Sequence, residues 1–327
     1  MDGNDLANTA KITVPANSHA LVAIVCTKDR PERVREFVQN LAQEKVPPRT
    51  LLLVDSTSRD TSLSMNQDSL TLLETLGWET IHVLDSPGLP HQRNTGLDYV
   101  SKHFVDCEMV SFLDDDIFIT SDYFETVQRV FESDPRIVVV GGFDLRAAEQ
   151  EIKTHPLLSR LGILPKSDGE IAKSGLGRVP RPNSPSEDAD FVPGGMQSLR
   201  LNLLNGVRFN EASSFFGEDI EMHFRLARCG RIVSSNELPV SHLNAMEGKQ
   251  DNGSGLLNEQ LVRLRLHLED SSRVTFGRML LGCIFVFGWE FLSALRRPNA
   301  KNVANVTSQF FKALSISLAR RTGPESR

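Results

Sequence analysis

Five short apolar runs, each followed by polar or glycine residues, constrain the fold of this chain more than any other feature. Runs that are apolar throughout are typical of strands buried on both faces of a sheet. Apolar residues at helical spacing follow the first run, after Pro31, and a second helix is predicted from about Gln92 to His103. The alternation predicts an α/β fold with an open, mainly parallel sheet flanked by helices. The five runs are Leu21–Cys26, Leu51–Val54, Thr80–Leu84, Met109–Leu113 and Ile137–Val140.

Charge and cysteine content narrow the class of protein. The chain has 36 Lys and Arg residues against 42 Asp and Glu residues, and its net charge of −6 gives no support to nucleic-acid binding. Its four cysteines lie far apart in the sequence, which fits reduced thiols in a cytosolic protein better than disulfides or a zinc site. Residues 1–20 are polar and lack the apolar segment of a secretory signal. We therefore expect a cytoplasmic protein.

Three consecutive carboxylates, Asp114-Asp115-Asp116, directly follow the fourth apolar run. Ligands of open α/β sheets bind beyond the carboxyl ends of the strands, where these side chains are expected to lie. Adjacent carboxylates repel one another unless a cation is near, and their oxygens suit Mg²⁺ or Mn²⁺. Asp114 and Asp116 are two residues apart and can point to one side. A solvated acidic turn or a helix cap explains the triplet equally well, but the buried strand before it favours a metal site.

A second acidic pair, Glu218-Asp219, opens a predicted helix. Phe215 and Phe216 precede the pair and indicate a partly buried approach, in which a carboxylate can be tuned as a general base. The simpler explanation is that acidic side chains stabilise the positive end of a helix dipole. Both interpretations are open from these residues alone.

Four further candidates are weaker when each is taken alone. Arg93 lies at the head of the second helix, placed to meet a phosphate, although an ordinary surface arginine fits as well. Asp55 directly follows the second apolar run and either contacts a nucleotide or forms a turn. Gly194-Gly195-Met196 forms a tight turn that lets a substrate approach the backbone, or a plain β-turn. His242 is either a third metal ligand or a structural histidine.

Taken in order, these residues resemble the inverting glycosyltransferase family 2, whose members have the GT-A fold. The resemblance covers about two-thirds of the chain, from Val22 to about His242. Val25–Pro31 is similar to the family's first strand and the loop after it, and Val54–Asp60 resembles its Val-Asp-Asp-Gly-Ser-x-Asp segment. Asp29 replaces a commoner Asn, and Ser-Thr replaces Asp-Gly after Asp55, so the nucleotide base and the sugar stay open.

The resemblance also implies a role for each matched residue. The residues implied to bind the donor and its nucleotide are Thr27, Asp29, Arg30, Asp55, Arg93, Asp114 and Asp115. Those implied to hold a divalent cation, Mn²⁺ or Mg²⁺, are Asp116, Asp114 and His242. Those implied to face the acceptor are Gly194, Gly195 and Met196. The implied catalytic pair is Asp219 as the base and Glu218 as a binder of the acceptor hydroxyl.

The implied reaction is metal-dependent transfer of a hexosyl or related sugar, with inversion, in polysaccharide or glycoconjugate synthesis. The donor would be a nucleotide-diphosphate sugar of the UDP, GDP or dTDP type, and the acceptor a glycan or a lipid-linked molecule. Two alternatives stay open: a glycoside hydrolase with paired carboxylates, and a non-catalytic nucleotide-sugar-binding protein. The hydrolase leaves Asp55 and Arg93 without a joint purpose.

We predict a GT-A domain over residues 21–250, with a nucleotide-sugar half at 21–143 and an acceptor half at 144–250, after an extension at 1–20. Residues 251–327 are predicted to form a helical appendage. Its apolar stretch Met279–Trp289 has 11 residues, whereas a membrane span needs about 20. Because seven basic residues and one acid follow from Arg296 to Arg327, the appendage indicates a peripheral membrane anchor, or a core helix with a basic tail. Ser167–Asp188 is expected to be a lid or a disordered loop.

Overall fold

The structure is a computed structural model that describes residues 20–146, 155–182, 187–213, 217–243, 255–296 and 300–321. Its strands are β1 (Leu21–Thr27), β2 (Thr50–Asp55), β3 (Glu79–Leu84), β4 (Met109–Asp114), β5 (Ile117–Phe118), β6 (Ile137–Asp144), β7 (Met196–Arg200) and β8 (Arg231–His242). Its α-helices are α1 (Pro31–Leu41), α2 (Asp60–Thr75), α3 (Leu89–His103), α4 (Tyr123–Ser133), α5 (Pro156–Arg160), α6 (Glu218–Leu226), α7 (Gly255–Glu269), α8 (Phe276–Arg296) and α9 (Ala300–Arg321).

The strands of this described part form one mixed sheet in the order β3-β2-β1-β4-β7-β6-β8-β5. The neighbours β3, β2, β1 and β4 are parallel, whereas β7 runs antiparallel to both β4 and β6. Each of the five predicted apolar runs is a strand, which confirms the predicted α/β fold with an open, mixed sheet. The antiparallel β7 brings the chain back beside β4, so that residues 194–196 lie next to the acidic triplet.

The sheet separates two apolar layers, as β1 shows. Leu21, Ala23 and Val25 belong to the cluster that includes α1, whereas Val22 and Ile24 belong to the cluster that includes α3. All seven residues of β1 and all six of β2 are buried. Because both faces of these central strands are covered by helices, their sequence is apolar throughout rather than alternating.

One strand is longer than predicted, because β6 continues past Gly141 and Gly142 to Asp144. A Cβ at Gly141 would lie 2.5 Å from Val192 Cβ, and one at Gly142 would lie 2.2 Å from the Leu238 carbonyl oxygen. The two glycines therefore allow close packing within the sheet instead of ending the strand.

The C-terminal helices form the predicted helical appendage. A cluster that includes Phe224 of α6, Val262 of α7 and Met279 of α8 joins these helices to the sheet domain. The described part of the predicted lid is folded against them: Ser174 is fully buried, and the Thr275 N–H donates to the Lys173 carbonyl. Residues 183–186 of that segment lie outside the described residues, and its function as a lid stays a prediction.

Candidate functional site

The acidic triplet lies at the carboxyl end of β4, between β1 and β7. Asp115 and Asp116 are buried, whereas Asp114 is partly exposed. Asp115 accepts a hydrogen bond of 2.6 Å from Thr27 Oγ1 and forms an ion pair with Arg30 Nη2. The Nη1 atom of Arg30 lies 3.2 Å from Asp116 Oδ2. Burial raises the pKa of Asp115 to about 7, although Arg30 and Thr27 oppose the shift. Thr27 and Arg30, two of the residues predicted to bind the donor, thus hold the triplet in place.

Three side chains at this position could hold a metal ion. The ligand atoms of Asp114, Asp116 and His242 lie within 4.8 Å of one another. His242 reaches the triplet because β8 pairs with β5, where Ile117 lies opposite it. Its Nε2 atom is 3.1 Å from Asp116 Oδ1, yet no donor among the described residues meets this buried oxygen with hydrogen-bond geometry. Two carboxylates, an imidazole and an unsatisfied buried oxygen fit a divalent cation such as Mn²⁺.

The charges of this cluster favour the ionised ligand form of Asp116 but the protonated form of His242. Burial alone would raise the pKa of Asp116, but His242 and Arg30 outweigh burial and hold that pKa below its usual range. The same contact with Asp116 raises the pKa of His242. A bound cation would replace the proton that His242 gains, so cation affinity is expected to rise with pH.

Arg93 occupies a different position from the predicted one. The helix α3 begins at Leu89, three residues before the predicted Gln92, because Gly88 has a φ of 147° and turns the chain there. Arg93 therefore lies one turn inside α3, and its side chain is 2% exposed. Gly96 lets α3 approach β1, since a Cβ there would lie 2.7 Å from Ile24 Cγ2. The arginine predicted at a helix head, placed to meet a phosphate, is thus a buried residue inside the helix.

The guanidinium of Arg93 links α6 to the metal cluster, which consists of the candidate ligands Asp114, Asp116 and His242. Nη1 donates to Glu218 Oε1 at 2.8 Å, and Nη2 lies 3.4 Å from Asp114 Oδ1. Its carbon lies 5.4 Å from the centre of the Phe209 ring and 5.9 Å from that of Phe112. A single buried cation therefore holds two carboxylates from different elements in one site.

The predicted catalytic pair opens α6, after Gly217 with a φ of 76°. Glu218 is 4% exposed, and its Oε2 atom is buried without a hydrogen-bond partner among the described residues. Burial, with the nearby charge of Asp219, raises the pKa of Glu218 to about 8 despite Arg93. Burial also raises the pKa of Asp219, again against Arg93. One guanidinium cannot neutralise three neighbouring carboxylates, so the site favours retaining a proton. Phe215 and Phe216 lie outside the described residues.

The turn at residues 194–196 fits between these groups only because it begins with two glycines. The Gly194 N–H donates to Asp219 Oδ2 at 2.9 Å, and a Cβ on Gly194 would lie 2.7 Å from Arg93 Nη1. A Cβ on Gly195 would lie 2.0 Å from Asp114 Oδ2. The Met196 side chain is 2% exposed and belongs to the apolar core, so it does not line the site.

Asp55 and Asp29 lie at the ends of neighbouring strands. Asp55 is buried, and its oxygens accept hydrogen bonds from the Thr57 N–H at 2.8 Å and from Asn66 Nδ2 at 2.7 Å. His82 Nε2 lies 3.0 Å from the same carboxylate. Asp29 has a φ of 53°, and its N–H donates to Thr57 Oγ1. Asn66 and His82 are not among the site residues predicted from the sequence. A histidine inside an apolar strand was the available signal for His82.

Another missed residue is Gln92, one position before Arg93. Its Nε2 atom donates to the carbonyl oxygens of Thr27 and Val54, each at 3.0 Å. It therefore ties the carboxyl ends of β1 and β2 to α3.

His223, which was also not predicted, is fully buried. Its Nε2 atom lies 2.7 Å from Gln197 Oε1, and burial lowers its pKa to about 3. This neutral histidine supports the turn at residues 194–196 through Gln197, whose Nε2 atom donates to the Gly194 carbonyl.

Comparison with known proteins agrees with this geometry. Residues 22–204 match the sequence profile of Glycosyl transferase family 2. The mannosyltransferase PcManGT from Pyrobaculum calidifontis, solved with GDP-Man and Mn²⁺, has a TM-score of 0.54 at 13% identity, over 94% of this chain and 81% of that chain. A fragment of S. aureus TarS has a TM-score of 0.53 at 15% identity, over 90% of this chain and 80% of that chain.

GalNAc-T7, solved with UDP, GalNAc and Mn²⁺, has a TM-score of 0.51 at 14% identity, over 75% of this chain and 48% of that chain. A sequence comparison with curated proteins finds no match. At these identities the structural similarities show a shared GT-A fold.

Proposed function

This chain belongs to glycosyltransferase family 2, and on that premise we propose that it is a metal-dependent, inverting transferase of hexosyl or related sugars. The donor is a nucleotide-diphosphate sugar, and the acceptor is a hydroxyl of a glycan or a lipid-linked molecule. One observation carries the proposal: the cluster of Asp114, Asp116 and His242 is joined through buried Arg93 to the carboxylate pair on α6. A site for a diphosphate-bound cation thus lies beside a site for a base.

The cation would be held by Asp114, Asp116 and His242. When bound, it supplies Lewis-acid stabilisation of the negative charge on the departing diphosphate, an effect worth several kcal/mol. Arg30 orients Asp115 and Asp116 through its two ion pairs and favours their ionised forms, although burial outweighs it at Asp115. Structural similarity to PcManGT and GalNAc-T7, both solved with Mn²⁺, supports a divalent cation.

We assign the general base to Asp219. Its Oδ2 atom is held by the Gly194 N–H and its Oδ1 atom by the Ile220 N–H, so the carboxylate has a fixed direction. Its raised pKa makes it a stronger base than an exposed aspartate. It would take the proton of the acceptor hydroxyl as that oxygen attacks the anomeric carbon. A single displacement of this kind inverts the configuration and needs no covalent intermediate.

Glu218 fits the role of an acceptor-binding group. With a pKa of about 8 it retains its proton near neutral pH, and its Oε2 atom has no partner among the described residues. A neutral carboxyl group donates one hydrogen bond and accepts another, as binding of a sugar hydroxyl requires. Because Arg93 contacts Glu218 and Asp114, it also fixes the distance between the acceptor side and the metal cluster.

The nucleotide would lie over the carboxyl ends of β1 and β2, near Thr27, Asp29 and Asp55. Since Asp55 already accepts bonds from Thr57, Asn66 and His82, we propose that it shapes the nucleotide pocket by holding these partners. UDP, GDP and dTDP are each compatible with this arrangement.

Binding of the donor nucleotide is the first test of this function. The purified chain is screened by thermal shift against UDP, GDP and dTDP with Mn²⁺, Mg²⁺ or EDTA. A ligand at about 100 times its Kd stabilises the folded chain by about 2.7 kcal/mol, a readily measured shift. We expect one diphosphate to stabilise only with metal, and Asp116→Ala to abolish this response. The proposal is wrong if none of the three shifts the wild-type transition with either metal.

Asp134→Ala is the matched control for that screen. Asp134 pairs with Arg136 and Arg231 at the surface, away from the metal cluster. The control should melt differently but respond to the diphosphate as the wild type does.

A further inference from the structure

We propose that the exposed face of α8 docks in the plane of a lipid bilayer that contains anionic lipids. This face consists of large apolar side chains that are more than a third exposed and recur every three or four residues. They are Leu281, Ile284, Phe285, Trp289, Leu292 and Leu295. At 1.5 Å per residue the stripe is about 21 Å long. A continuous stripe of this kind differs from the scattered single apolar residues of ordinary protein surfaces.

The opposite face of α8 packs against the rest of the protein. Met279 is fully buried and Cys283 is 2% exposed, and Phe287 stacks on Phe310 of α9 with ring centres 4.1 Å apart. Phe276–Ser293 is long and apolar enough to cross a membrane by length and composition alone. However, α8 is packed against α9, which carries a buried Gln309 and an exposed Lys312. Because one side of α8 is covered by α9, we place α8 in the plane of the interface instead of across the bilayer.

Trp289 is the residue of this face that is most typical of membrane-interface contacts. Its side chain is 65% exposed, the largest exposed fraction in the stripe. Tryptophan combines a large apolar ring with an N–H donor, and it is enriched where a bilayer meets water. The single acid of α8, Glu290, follows it in the sequence and lies a quarter-turn or more away from the stripe.

Cations lie at the N-terminal end of the stripe, and the sequence after α8 is basic. At its N-terminal end Arg278 lines a cavity of about 440 Å³ together with Arg160, Lys166, Lys173 and Arg273. The two acids of this cavity have partners within the protein: Asp190 pairs with Arg273, and Glu170 accepts from backbone N–H groups. The sequence from Arg296, the last residue of α8, to Arg327 has seven basic residues and one acid.

This charge pattern indicates that the partner of the apolar face is anionic. Basic residues beside an apolar helical face are attracted to anionic headgroups. A second copy of the chain would present the same cations beside its own stripe, not anions. The docking does not depend on the proposed transferase reaction. If that reaction is also correct, docking favours a lipid-linked acceptor over a soluble glycan.

The experiment measures binding of the full chain to phosphatidylcholine vesicles with and without phosphatidylglycerol, by flotation at low and high salt. We expect binding to the anionic vesicles that weakens with salt. The double variant Leu281→Glu/Leu292→Glu should bind at least about tenfold more weakly, because two apolar anchors become charged. The matched control is Leu72→Glu/Val105→Glu, which makes the same changes at exposed sites of α2 and the loop after α3. It should bind nearly as the wild type does.

Fluorescence provides a second measurement that needs no substitution. The chain has two tryptophans, and Trp78 is only 7% exposed, so Trp289 reports on α8. Anionic vesicles should shift the emission to the blue and protect it from acrylamide. Unchanged emission together with absent flotation would overturn the proposal. So would equal binding by the two double variants, or a wild-type dimer in ultracentrifugation that Leu281→Glu/Leu292→Glu dissociates.

Discussion

Replacing Arg93 with Met tests how the site is held together. Methionine keeps most of the length and apolar stem of arginine but removes the guanidinium. The substitution breaks the 2.8 Å contact with Glu218 and the 3.4 Å contact with Asp114. Both the arginine and Glu218 are almost fully buried, so water cannot replace the lost donor.

The size of the effect follows from this burial. Removing one partner of a buried ion pair costs about 3–5 kcal/mol, because the remaining charge is left without compensation. Glu218 can escape part of this cost by keeping a proton, and its pKa is already raised to about 8. The variant's loss of stability should therefore be smaller near pH 6 and grow as the pH rises through about 8, where the carboxyl group must ionise.

Arg49→Met is the matched control. Arg49 pairs with Asp106 at 2.6 Å and lies 4.8 Å from the Phe104 ring centre, but both charged groups are partly exposed. Exposed pairs contribute about 0–1 kcal/mol. Urea denaturation of the two variants, read from midpoints at equal m, gives the comparison.

A double variant separates charge from packing. Glu218→Gln removes the uncompensated carboxyl group, so Arg93→Met/Glu218→Gln should recover at least about 1 kcal/mol over Arg93→Met at pH 8. The reasoning is refuted if Arg93→Met costs no more than Arg49→Met, or if the second substitution brings no recovery.

Three further predictions concern other groups. Burial raises the pKa of Glu44 from 4.5 to about 8, so the folded state loses stability as the pH rises from about 4.5 to 8; in urea titrations Glu44→Gln should be more stable than wild type above pH 8, by up to about 5 kcal/mol, and nearly equally stable at pH 4. Gly195→Ala should cost about 1–3 kcal/mol by urea denaturation and weaken Mn²⁺ binding by calorimetry, because its Cβ meets Asp114, whereas Gly288→Ala, whose Cβ meets nothing within 4 Å, should leave both unchanged or add slight stability. Asp219→Asn should lower kcat by about 10²–10⁴-fold while the thermal shift with nucleoside diphosphate and metal is retained, and a kcat within threefold of wild type would exclude Asp219 as the base.

The strands and their polar ends could be predicted because burial on both faces leaves a direct mark on the sequence. The positions of β1 and β2 are apolar except for Thr27, Thr50 and Asp55 at the strand ends, and a carboxylate at the end of such a strand is conspicuous. The clustering of Asp114 and Asp116 at one edge followed from the parallel order of the strands.

The partners of the site residues could not be predicted, since they depend on long-range packing. Arg93 and Glu218 are 125 positions apart in the sequence, and their contact exists because β7 returns antiparallel beside β4. The start of α3 depends on the backbone conformation of Gly88, which the residue type permits but does not require. Met196 joined the predicted acceptor residues by adjacency, whereas strand alternation directs its side chain into the core.

The central claim is sugar transfer from a nucleotide-diphosphate donor, and release of the nucleoside diphosphate tests it most directly. The wild-type chain is incubated with UDP-, GDP- and dTDP-sugars, with Mn²⁺ or EDTA, and the diphosphate is quantified by ion-exchange chromatography over hours, so that slow transfer to water is also detected. We expect metal-dependent release from one class of donor, about 10²–10⁴-fold slower in Asp219→Asn. Equal release by Asp219→Asn and the wild type, or none from any donor that stabilises the chain in the thermal-shift screen, would contradict sugar transfer by this site.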